Sequence, residues 1–587
     1  MIAPSSTTLR RRTVVIGPGI VGMPMAALLA DATRRLDAVP GEVVVIQRAS
    51  PTSGWKVDAI NRGESPIGGV EPALDEIVRV NVAAGTLRAS HDYGEVQEAT
   101  TILVCVQTDK DGWGPEYGPL FGALHGIAGA LAAAPVRHRP TIIIESTLAP
   151  STMQSIVRPL FASYGLEEGR DVSLGNSPNR VMPGRLVERV AAADKIVGAL
   201  RAGTASDIAT LYGRIVTTGR LWETSSMAAE IVKTLENAYR DVRIAFATEV
   251  ARWCDAHDVD FQSLREMANE RLQRTDLASR DGTAVPSGAL LVPTAGVGGH
   301  CLPKDGILLW WRAHEAGMPT AHSMILGART INDAAPAATL AMATARIGSL
   351  SGREVAVLGA AYRADSEDTR NAPAITLATQ LLAAGARVTL HDPFVRPNDA
   401  NIAAAGLTSR LTRSLDVALR SATVVFVAVA HGAYRALPEQ ITELSPGCEL
   451  VVDAANLYAR DAFAPVRIPY TGIGRGRAVP EASLVDAVLE QFRAVERGVA
   501  NEVSMLVDFF NAQYRTRGDA EVLYAEVQAM ARSCATGCDL ADPGPIPALT
   551  KHAFQSRLAA VAAERWAEAQ RPAARARATA PALELNA

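Results

Sequence analysis

The chain has 587 residues, of which 48% are hydrophobic and 20% are charged, and these values exclude a globally disordered or collagen-like protein. Its 58 Lys and Arg residues against 62 Asp and Glu residues give a net charge of -4, which argues against a nucleic-acid-binding protein. Six cysteines are too few for a disulfide scaffold, so each cysteine needs its own explanation. At roughly 150 residues per domain, the length predicts four units, or three units and an extension.

The N-terminal segment allows two interpretations. LRRRTVVIGPGIVGMPMAALLADA (9–32) has the basic start, apolar middle and small residues of a secretory signal. We favour a strand at Thr13–Ile16, a glycine turn and a helix at Ile20–Ala32, preceded by a flexible leader over residues 1–12. Because the chain also lacks an uninterrupted run of 18 apolar residues, we expect a cytoplasmic protein without a membrane span.

Apolar strands alternate with helical segments over the first part of the chain. Further strands are predicted at Val43–Ile46, Ile102–Val106 and Thr141–Ile144, and helices at Pro72–Val82 and Leu120–Ala133. This alternation predicts a doubly wound parallel sheet, and we assign residues 13–220 to a Rossmann domain.

The pattern changes near Leu221. Residues 221–345 are predicted to form a central helical domain that contains one long helix, Ser225–His257. The strand–turn–helix pattern returns over residues 346–476, and a helical extension with a disordered tail follows over 477–587. The predicted fold is therefore α/β, with two Rossmann-like doubly wound parallel-sheet domains joined by a central helical domain, plus a helical C-terminal extension.

Three glycines separate the first strand from its helix. Gly17, Gly19 and Gly22 have the G-x-G-x-x-G spacing, and Ile20 and Val21 complete the turn. The first glycine allows a tight turn, the second allows backbone to approach a pyrophosphate, and the third allows close packing of helix and strand. This context predicts a dinucleotide site at the helix N-terminus, with a plain tight turn as the alternative.

The acidic residue that usually binds the ribose is missing. The second predicted strand is followed by Gln47 and Arg48. Gln47 can still bond a ribose hydroxyl, while Arg48 either favours the 2′-phosphate of NADP or is a solvated loop residue.

The segment GVGGHCLPKD (296–305) is the most informative part of the chain. Its Gly-Gly pair lets a loop come close to a ligand, and His300, Cys301, Lys304 and Asp305 collect polar groups on one turn. A cysteine nucleophile needs access and cationic neighbours, which this segment offers.

The other cysteines have settings that do not suggest chemistry. Cys105 and Cys254 are predicted to be core residues, and Cys448 begins a strand. Cys534 and Cys538 form a C-x₃-C pair, but only His552 is near, so no metal site is predicted.

Several segments together resemble the UDP-glucose/GDP-mannose dehydrogenase family over about residues 12–476. The resemblance rests on the cysteine loop and on EIVKTLENAYRDVRIAFATEVA (230–251), ESTLAP (145–150), AYRADSEDTRNAPA (361–374), HDP (391–393) and TGIGRG (471–476). It implies an NAD-binding domain, a helical catalytic middle and a UDP-binding domain. It also implies oxidation of the C6 alcohol of a nucleotide sugar to a carboxylate with two NAD⁺.

The resemblance implies roles for five residues. Cys301 captures an aldehyde as a thiohemiacetal, which becomes a thioester and is then hydrolysed. Lys233 stabilises the oxyanion and Asn237 assists it; the two lie at i and i+4, on one side of a helix. Asp305 orients water or assists proton movement, and Thr147 positions a water or the nicotinamide.

The remaining implied positions bind ligands. Thr108 is expected at the cofactor. The substrate-binding positions are Asn179, Arg180, Gly299, His300, Arg363 and Arg370. Arg370 is expected to bind the phosphates, and a loop salt bridge is its alternative.

One departure from the family pattern concerns hydrolysis. Asn179, in SPNRVMPGR (177–185), stands where the family usually has the Glu that acts as general base. A neutral amide does not accept a proton usefully near neutral pH. Glu145 or Asp305 takes over that role, or the reaction is slow or stops at an intermediate. Arg180 and Arg185 remain as candidates for binding sugar or phosphate.

The sugar and the assembly are less constrained. His300 and the PxRVMPG pattern are typical of UDP-N-acetylmannosamine relatives, whereas LPKD resembles the glucose enzymes, so we favour a UDP-N-acetylhexosamine. UDP-glucose and a non-catalytic nucleotide-sugar-binding homologue are the alternatives. The cofactor is expected to be NAD through the resemblance.

The long helix from Ser225 must bury an apolar face, so we expect it to form the core of a homodimer or higher homo-oligomer.

Overall fold

A computed structural model describes residues 11–68, 71–133, 138–181, 184–273, 289–515, 520–533 and 538–569. The described residues divide into two compact units. The first draws on residues 1–236, 308–316 and 505–535, and the second on 237–307, 317–504 and 536–587. Most of the predicted leader, and residues 570–587 of the predicted tail, lie outside the described residues.

An eight-stranded sheet forms the centre of the first unit, in the order β10-β9-β8-β7-β4-β1-β2-β3. Its strands and the separate hairpin β5–β6 are β1 (Arg12–Ile16), β2 (Glu42–Ile46), β3 (Leu87–Ser90), β4 (Thr101–Val104), β5 (Asp109–Asp111), β6 (Gly114–Glu116), β7 (Thr141–Ile144), β8 (Ser173–Asn176), β9 (Lys195–Ala199) and β10 (Leu221–Ser225). Neighbouring strands are parallel except β8 and β9, so β9 and β10 run against the others.

Helices cover both faces of this sheet. They are α1 (Gly22–Leu36), α2 (Trp55–Asn61), α3 (Leu74–Ala83), α4 (Gly118–Ala132), α5 (Arg158–Ser163), α6 (Leu186–Ala192) and α7 (Ala202–Tyr212). Val15 faces one apolar cluster, while Val14 and Ile16 face the other. Burial on both faces explains why the central strands are continuous apolar runs without polar alternation.

Further helices follow the first sheet and lie after residue 481. They are α8 (Ser226–Ala256), α9 (Phe261–Arg271), α10 (Leu302–Glu315), α11 (Met324–Asp333), α12 (Ala335–Ile347), α17 (Ala482–Tyr514), α18 (Tyr524–Arg532) and α19 (Arg557–Ala569). The predicted helix Ser225–His257 is α8. No helix in the described part of the chain has both the length and the apolar content needed to cross a bilayer.

A second, six-stranded sheet lies in the second unit, in the order β13-β12-β11-β14-β15-β16, with all neighbours parallel. Its strands are β11 (Glu354–Leu358), β12 (Arg387–His391), β13 (Leu411–Thr412), β14 (Val424–Val427), β15 (Leu450–Asp453) and β16 (Tyr470–Gly472), and its helices are α13 (Pro373–Ala383), α14 (Ala400–Ala404), α15 (Leu415–Leu419) and α16 (Leu437–Leu444).

The predicted fold class is confirmed: two Rossmann-like domains, a helical middle and a helical C-terminal part. Element ends differ where polar groups turn the chain. The strand predicted to begin at Cys448 is β15, and it ends at Asp453 because the Asp453 carboxylate accepts N–H bonds from Ala455, Leu457 and Tyr458. These bonds fold the chain back on itself after four extended residues.

Candidate active site

The glycine turn between β1 and α1 has the shape that a dinucleotide needs. Gly17 has φ +92° and donates its N–H to the Ile46 carbonyl at 2.9 Å. A Cβ on Gly22 would lie 2.1 Å from the Gly17 carbonyl oxygen, whereas a Cβ on Gly19 would meet nothing within 4 Å. The turn is thus closed at its first and third glycines and open at the second, where a pyrophosphate would approach.

Two of the predicted cofactor contacts lie beside this turn. Ile20 is 40% exposed and Val21 is half-buried, and both precede α1, which begins at Gly22 rather than at Ile20. The Met23 N–H donates to the Gly19 carbonyl at 3.0 Å, so the first helical bond forms at the turn itself. The N-terminus of α1 therefore offers its partial positive charge to a phosphate.

Gln47, which was predicted to bind the ribose, is hydrogen-bonded to a serine-rich loop. Gln47 donates from Nε2 to Ser53 Oγ at 2.9 Å, and the Ser50 and Ser53 hydroxyls are 2.7 Å apart. Arg48 is exposed. The Gln47 amide is thereby oriented towards the loop after β2, and its contact with a ribose stays a prediction.

Two predicted threonines meet at the carboxyl ends of β4 and β7. Buried Thr108 donates from Oγ1 to the Thr147 carbonyl at 2.8 Å, and Ser146 Oγ donates to the Val106 carbonyl at 2.6 Å. Since β1 and β4 are neighbours in the sheet, these threonines share its carboxyl edge with the glycine turn. In open α/β sheets this edge is where ligands bind.

The turn after Thr147 is held by Glu230, a residue that the sequence does not single out. Ser151 has φ +79°, and its N–H and that of Met153 donate to the Glu230 carboxylate at 2.8 and 2.9 Å. Arg312 donates to Ser151 Oγ at 3.2 Å. Burial raises the pKa of Glu230 to about 8, although the two backbone N–H bonds oppose the rise. No local pattern reveals this role, because the partners are about 80 residues apart in sequence.

Asn179 belongs to a buried polar cluster of the first unit. Lys195 Nζ lies 2.9 Å from the Glu145 carboxylate and 3.2 Å from Asn179 Oδ1. Asn179 Nδ2 and the Tyr212 hydroxyl also donate to Glu145. Burial raises the pKa of Glu145 and lowers that of Lys195, while their mutual attraction opposes both shifts. The side chain of Asn179 is therefore engaged as a donor to a carboxylate.

The predicted substrate-binding arginine beside it is also engaged. Arg180 donates from Nε to Glu236 at 3.0 Å and from Nη1 to the Asp194 carbonyl at 2.7 Å. This ion pair is buried, with side chains 6% and 1% exposed. Arg185 instead pairs with Glu188 on the surface. The geometry gives Arg180 a role in holding α8, and its contact with substrate stays a prediction.

In the second unit, two of the predicted catalytic residues are in direct contact. Asn237 of α8 donates from Nδ2 to Asp305 at 2.6 Å, and Lys304 Nζ lies 2.8 Å from the other oxygen of the same carboxylate. Asp305 is completely buried. Lys233, which precedes Asn237 in the sequence of α8 and belongs to the first unit, is 8% exposed. The ion pair of Lys304 was not anticipated from the sequence.

Cys301 immediately precedes α10. Its carbonyl accepts the N–H groups of Lys304 at 3.2 Å and Asp305 at 3.0 Å, so the hydrogen bonding of that helix begins at Cys301. Cys301 is exposed, whereas each of the other cysteines in the described ranges is buried or half-buried. Burial raises the pKa of Cys254 to about 12 and that of Cys448 to about 11. Cys534 lies outside the described residues.

The cysteine loop is docked against the segment 361–374. Gly299 donates its N–H to the Arg370 carbonyl at 2.8 Å, and Asn371 Nδ2 donates to the Gly299 carbonyl at 2.9 Å. A Cβ on Gly298 would lie 2.6 Å from Cβ of Tyr362, and Gly299 has φ +85°, so both positions favour glycine. The two segments predicted from separate motifs thus meet, and the close packing of Tyr362 and Asn371 was not foreseen.

Arg370 forms a salt bridge within its own loop, and its contact with the phosphates of a substrate stays a prediction. It pairs with Asp368 at 2.5 Å, and this contact is the chief reason why its pKa is raised. Cys301 and Tyr362 are close enough to contribute to the same rise. Arg363 follows Tyr362 and is half-buried, and His300 is close enough to act on the pKa of Asp368.

The fold and these turns define a class of protein: an oxidoreductase with an N-terminal dinucleotide-binding domain and a second Rossmann-like domain beside an exposed cysteine. Three models of one family match the chain, namely the NAD binding domain over residues 11–216, the central domain over 227–334 and the UDP binding domain over 356–460. The chain belongs to the UDP-glucose/GDP-mannose dehydrogenase family, and its cofactor is NAD.

The chain is similar to several known proteins over nearly their whole length. It is 29% identical to the UDP-N-acetyl-D-mannosamine dehydrogenase of Pyrococcus horikoshii, covering 79% of this chain and 99% of that protein. It is 30% identical to the NDP-N-acetyl-D-galactosaminuronic acid dehydrogenase of Ralstonia nicotianae, covering 77% and 98%. The crystal structure of the NDP-N-acetyl-D-galactosaminuronic acid dehydrogenase from Methanosarcina mazei is also similar. It matches with a TM-score of 0.67 and 30% identity, covering 80% of this chain and 96% of that one.

Proposed function

We propose that the protein is an NAD-dependent nucleotide-sugar 6-dehydrogenase that oxidises the C6 alcohol of a UDP-N-acetylhexosamine, such as UDP-N-acetylmannosamine, to the uronic acid. The observation that carries this proposal is the exposed Cys301 at the start of α10, in a loop docked on residues 361–374. Its helix also carries Asp305, which is bonded to Asn237.

The glycine turn would hold the cofactor. Gly17 and Gly22 close the turn, Gly19 leaves room for the pyrophosphate, and Thr108 and Thr147 lie at the same sheet edge. Bound NAD supplies the hydride acceptor, and two hydride equivalents leave the substrate for each acid formed.

The chain's own residues then handle the carbonyl. Cys301 Sγ bonds to the aldehyde carbon and forms a thiohemiacetal, which is oxidised to a thioester. Lys233 and Asn237, one turn apart on α8, stabilise the oxygen as it gains negative charge. Water finally adds to the thioester carbon, the C–S bond breaks, and the free thiol and the acid are released.

Asp305 is the residue we propose for guiding that water. It lies one helical turn after Cys301, and Lys304 and Asn237 fix both of its oxygens. Glu145 is the other candidate, but Lys195, Asn179 and Tyr212 already bond to its carboxylate. Because both oxygens of Asp305 are held in place, its carboxylate is better suited to orienting a water molecule than to rotating and accepting a proton.

The N-acetylated sugar is supported by His300 and by the names of the relatives, with UDP-glucose as the alternative. The domain boundaries 13–220, 221–345 and 346–476 are supported by the ranges of the family models. A cytoplasmic site of action is supported by residues 12–36, which form β1, the turn and α1 of a sheet.

The test uses the purified full chain with NAD⁺ and a panel of UDP-sugars, following reduced cofactor by absorbance and product by mass. The expected product has gained one oxygen and lost two hydrogens. Cys301→Ser should lower acid formation by about 10³-fold or more. The matched control is Cys448→Ser, which changes a half-buried cysteine just before β15 and should retain activity.

Other outcomes separate the rival functions. Unchanged acid formation in the Cys301→Ser enzyme would overturn the assignment of the nucleophile. Release of an aldehyde, or a stalled thioester on Cys301, would show a reaction that stops before hydrolysis. UDP-sugar binding without reduction of NAD⁺ or NADP⁺ would instead support a non-catalytic binding homologue.

A further inference from the structure

The C-terminal half of α8, residues 237–256, is covered by the chain itself. Phe246 is fully buried, with its ring centroid 5.5 Å from that of Phe492 and 6.4 Å from that of Phe554. Trp253 lies 6.1 Å from Phe554 and donates its indole N–H to the Ala553 carbonyl at 3.3 Å. We call residues 482–504 of α17 and residues 538–569 the C-terminal cover.

Polar groups of α8 are also satisfied by the C-terminal cover. Glu249 accepts hydrogen bonds from Ser556 Oγ at 2.7 Å and from the Arg557 N–H at 2.9 Å. A carboxylate at these first N–H groups caps α19 and complements its dipole. Glu249 therefore binds defined donors at the start of α19, and a loosely attached tail would not hold those donors in place.

A buried ion pair joins α8 to α17. Arg243 Nη1 lies 3.4 Å from the Glu496 carboxylate, and the guanidinium stacks 4.6 Å above the Phe492 ring. The Tyr239 hydroxyl donates to Glu496 at 3.2 Å and to the Asp539 carbonyl at 3.1 Å. Removing one member of such a pair leaves the other charge buried, so the cover is costly to displace.

The C-terminal cover also packs tightly on α11. Glu502 accepts from Ser323 Oγ at 2.5 Å and from the Met324 N–H at 2.8 Å. A Cβ on Gly498 would lie 2.2 Å from Met324 Sδ and 2.5 Å from Cβ of Ala562. The close contact at Gly498 shows that α11, α17 and α19 pack tightly against one another.

This cover is an addition to the family fold. The family models end at residue 460, and the relatives are matched over 95% or more of their length by 72% to 79% of this chain. The apolar face of α8, from which the sequence predicts a homodimer core, therefore meets residues that the family models do not include.

We propose that the C-terminal cover takes the place of a second copy of the chain on α8. A second copy would have to expel Phe492 and Phe554 and break the Arg243–Glu496 pair before it reached this face. Any self-association of the enzyme then uses another surface. This inference is independent of the substrate and of the catalytic residues.

The test places a photo-crosslinking residue on the covered face, as Trp253→p-benzoylphenylalanine in the full chain. Equal amounts of ¹⁵N-labelled and unlabelled chains are mixed, irradiated and digested. The expected products join residue 253 to the C-terminal cover in peptides of one isotope only. Mixed-isotope pairs between residue 253 and α8 of another copy would overturn the proposal. Phe394→p-benzoylphenylalanine, at a 40% exposed site in the second sheet domain, is the matched control.

A second measurement uses the unaltered chain and does not depend on the variant folding. Amide hydrogen exchange of residues 239–256 is followed while the protein is diluted over a wide range of concentration. Protection that stays constant supports cover by the same chain, since an intramolecular contact does not dissociate on dilution. Protection that is lost on dilution would show that a second copy supplies it, and would overturn the proposal.

Discussion

The buried ion pair of Glu145 and Lys195 illustrates how single residues shape the N-terminal domain. Their side chains are 0% and 5% exposed. Removing two charges from water costs several kcal/mol for each ion, so each charge depends on the other. Asn179 and Tyr212 complete the hydrogen bonds of Glu145. At position 179 a neutral amide can donate to this carboxylate, whereas a second carboxylate would repel it.

Lys195→Met should be strongly destabilising, because it leaves Glu145 buried without its counter-ion. We expect a loss of about 3–5 kcal/mol in the free energy of unfolding, measured with urea and circular dichroism. Adding Glu145→Gln to the same chain should recover much of the loss. Arg62→Met, which removes an exposed ion pair, is the control and should leave stability unchanged. Equal stability of the Lys195 and Arg62 variants would contradict this account.

Among the elements, the turn after β11 depends on one carboxylate from the end of β12. Asp392 accepts the N–H groups of Ala360 and Ala361 on one oxygen and that of Phe394 on the other. Burial acts to raise its pKa, but the hydrogen bond from His431 and these backbone donors outweigh burial and lower the pKa to about 2. The ionised form of Asp392 therefore stabilises the folded second sheet.

The stability that Asp392 provides should depend on pH in a definite direction. Its pKa is lower in the folded chain than in the unfolded chain, so the contribution is complete above about pH 4 and is lost as the pH falls through about 2. A difference of nearly two pKa units corresponds to about 2 kcal/mol. The free energies of unfolding of the wild type and Asp392→Asn are measured with urea. Their difference should become about 2 kcal/mol smaller as the pH falls from about 4 to about 2. A gap that is independent of pH would contradict the assignment.

At the scale of the whole molecule, a long C-terminal extension belongs to the packed structure. Gln491 of α17 donates to the Phe554 carbonyl at 2.9 Å and accepts from the Ser556 N–H. Both bonds are buried, so the segment before α19 is attached by obligatory hydrogen bonds as well as by apolar contact.

Gln491→Ala should loosen that attachment without unfolding the rest of the chain. Leaving a buried carbonyl and N–H without partners costs about 1–3 kcal/mol. We expect faster amide exchange in residues 554–569 and unchanged exchange in β1, β4 and β7. Arg493→Ala changes an exposed residue on the same helix and should leave both regions unchanged. Faster exchange throughout the Gln491→Ala chain would mean that the extension is not a local unit.

Much of the fold and part of the site follow from local patterns. Buried strands have continuous apolar runs and helices have a 3.6-residue period, so β1, β7 and α8 are predicted to within one or two residues. The glycine turn at Gly17 and the cysteine loop at Cys301 are equally local, because backbone approach and turn geometry demand glycine wherever they occur. The contact of Asn237 with Asp305 is not local, but each residue lies in a recognisable motif.

By itself, the sequence determined the order of the elements, the glycine turn, the cysteine loop and the need of α8 for apolar cover. Only the tertiary structure decided which distant groups meet: Glu230 with the Ser151 turn, Lys195 with Glu145, and the extension with α8. The physical reason is that a buried charge or an apolar face requires a partner, yet local sequence does not specify which one. Packing between segments makes that choice, and on α8 it selects the chain's own C-terminal helices.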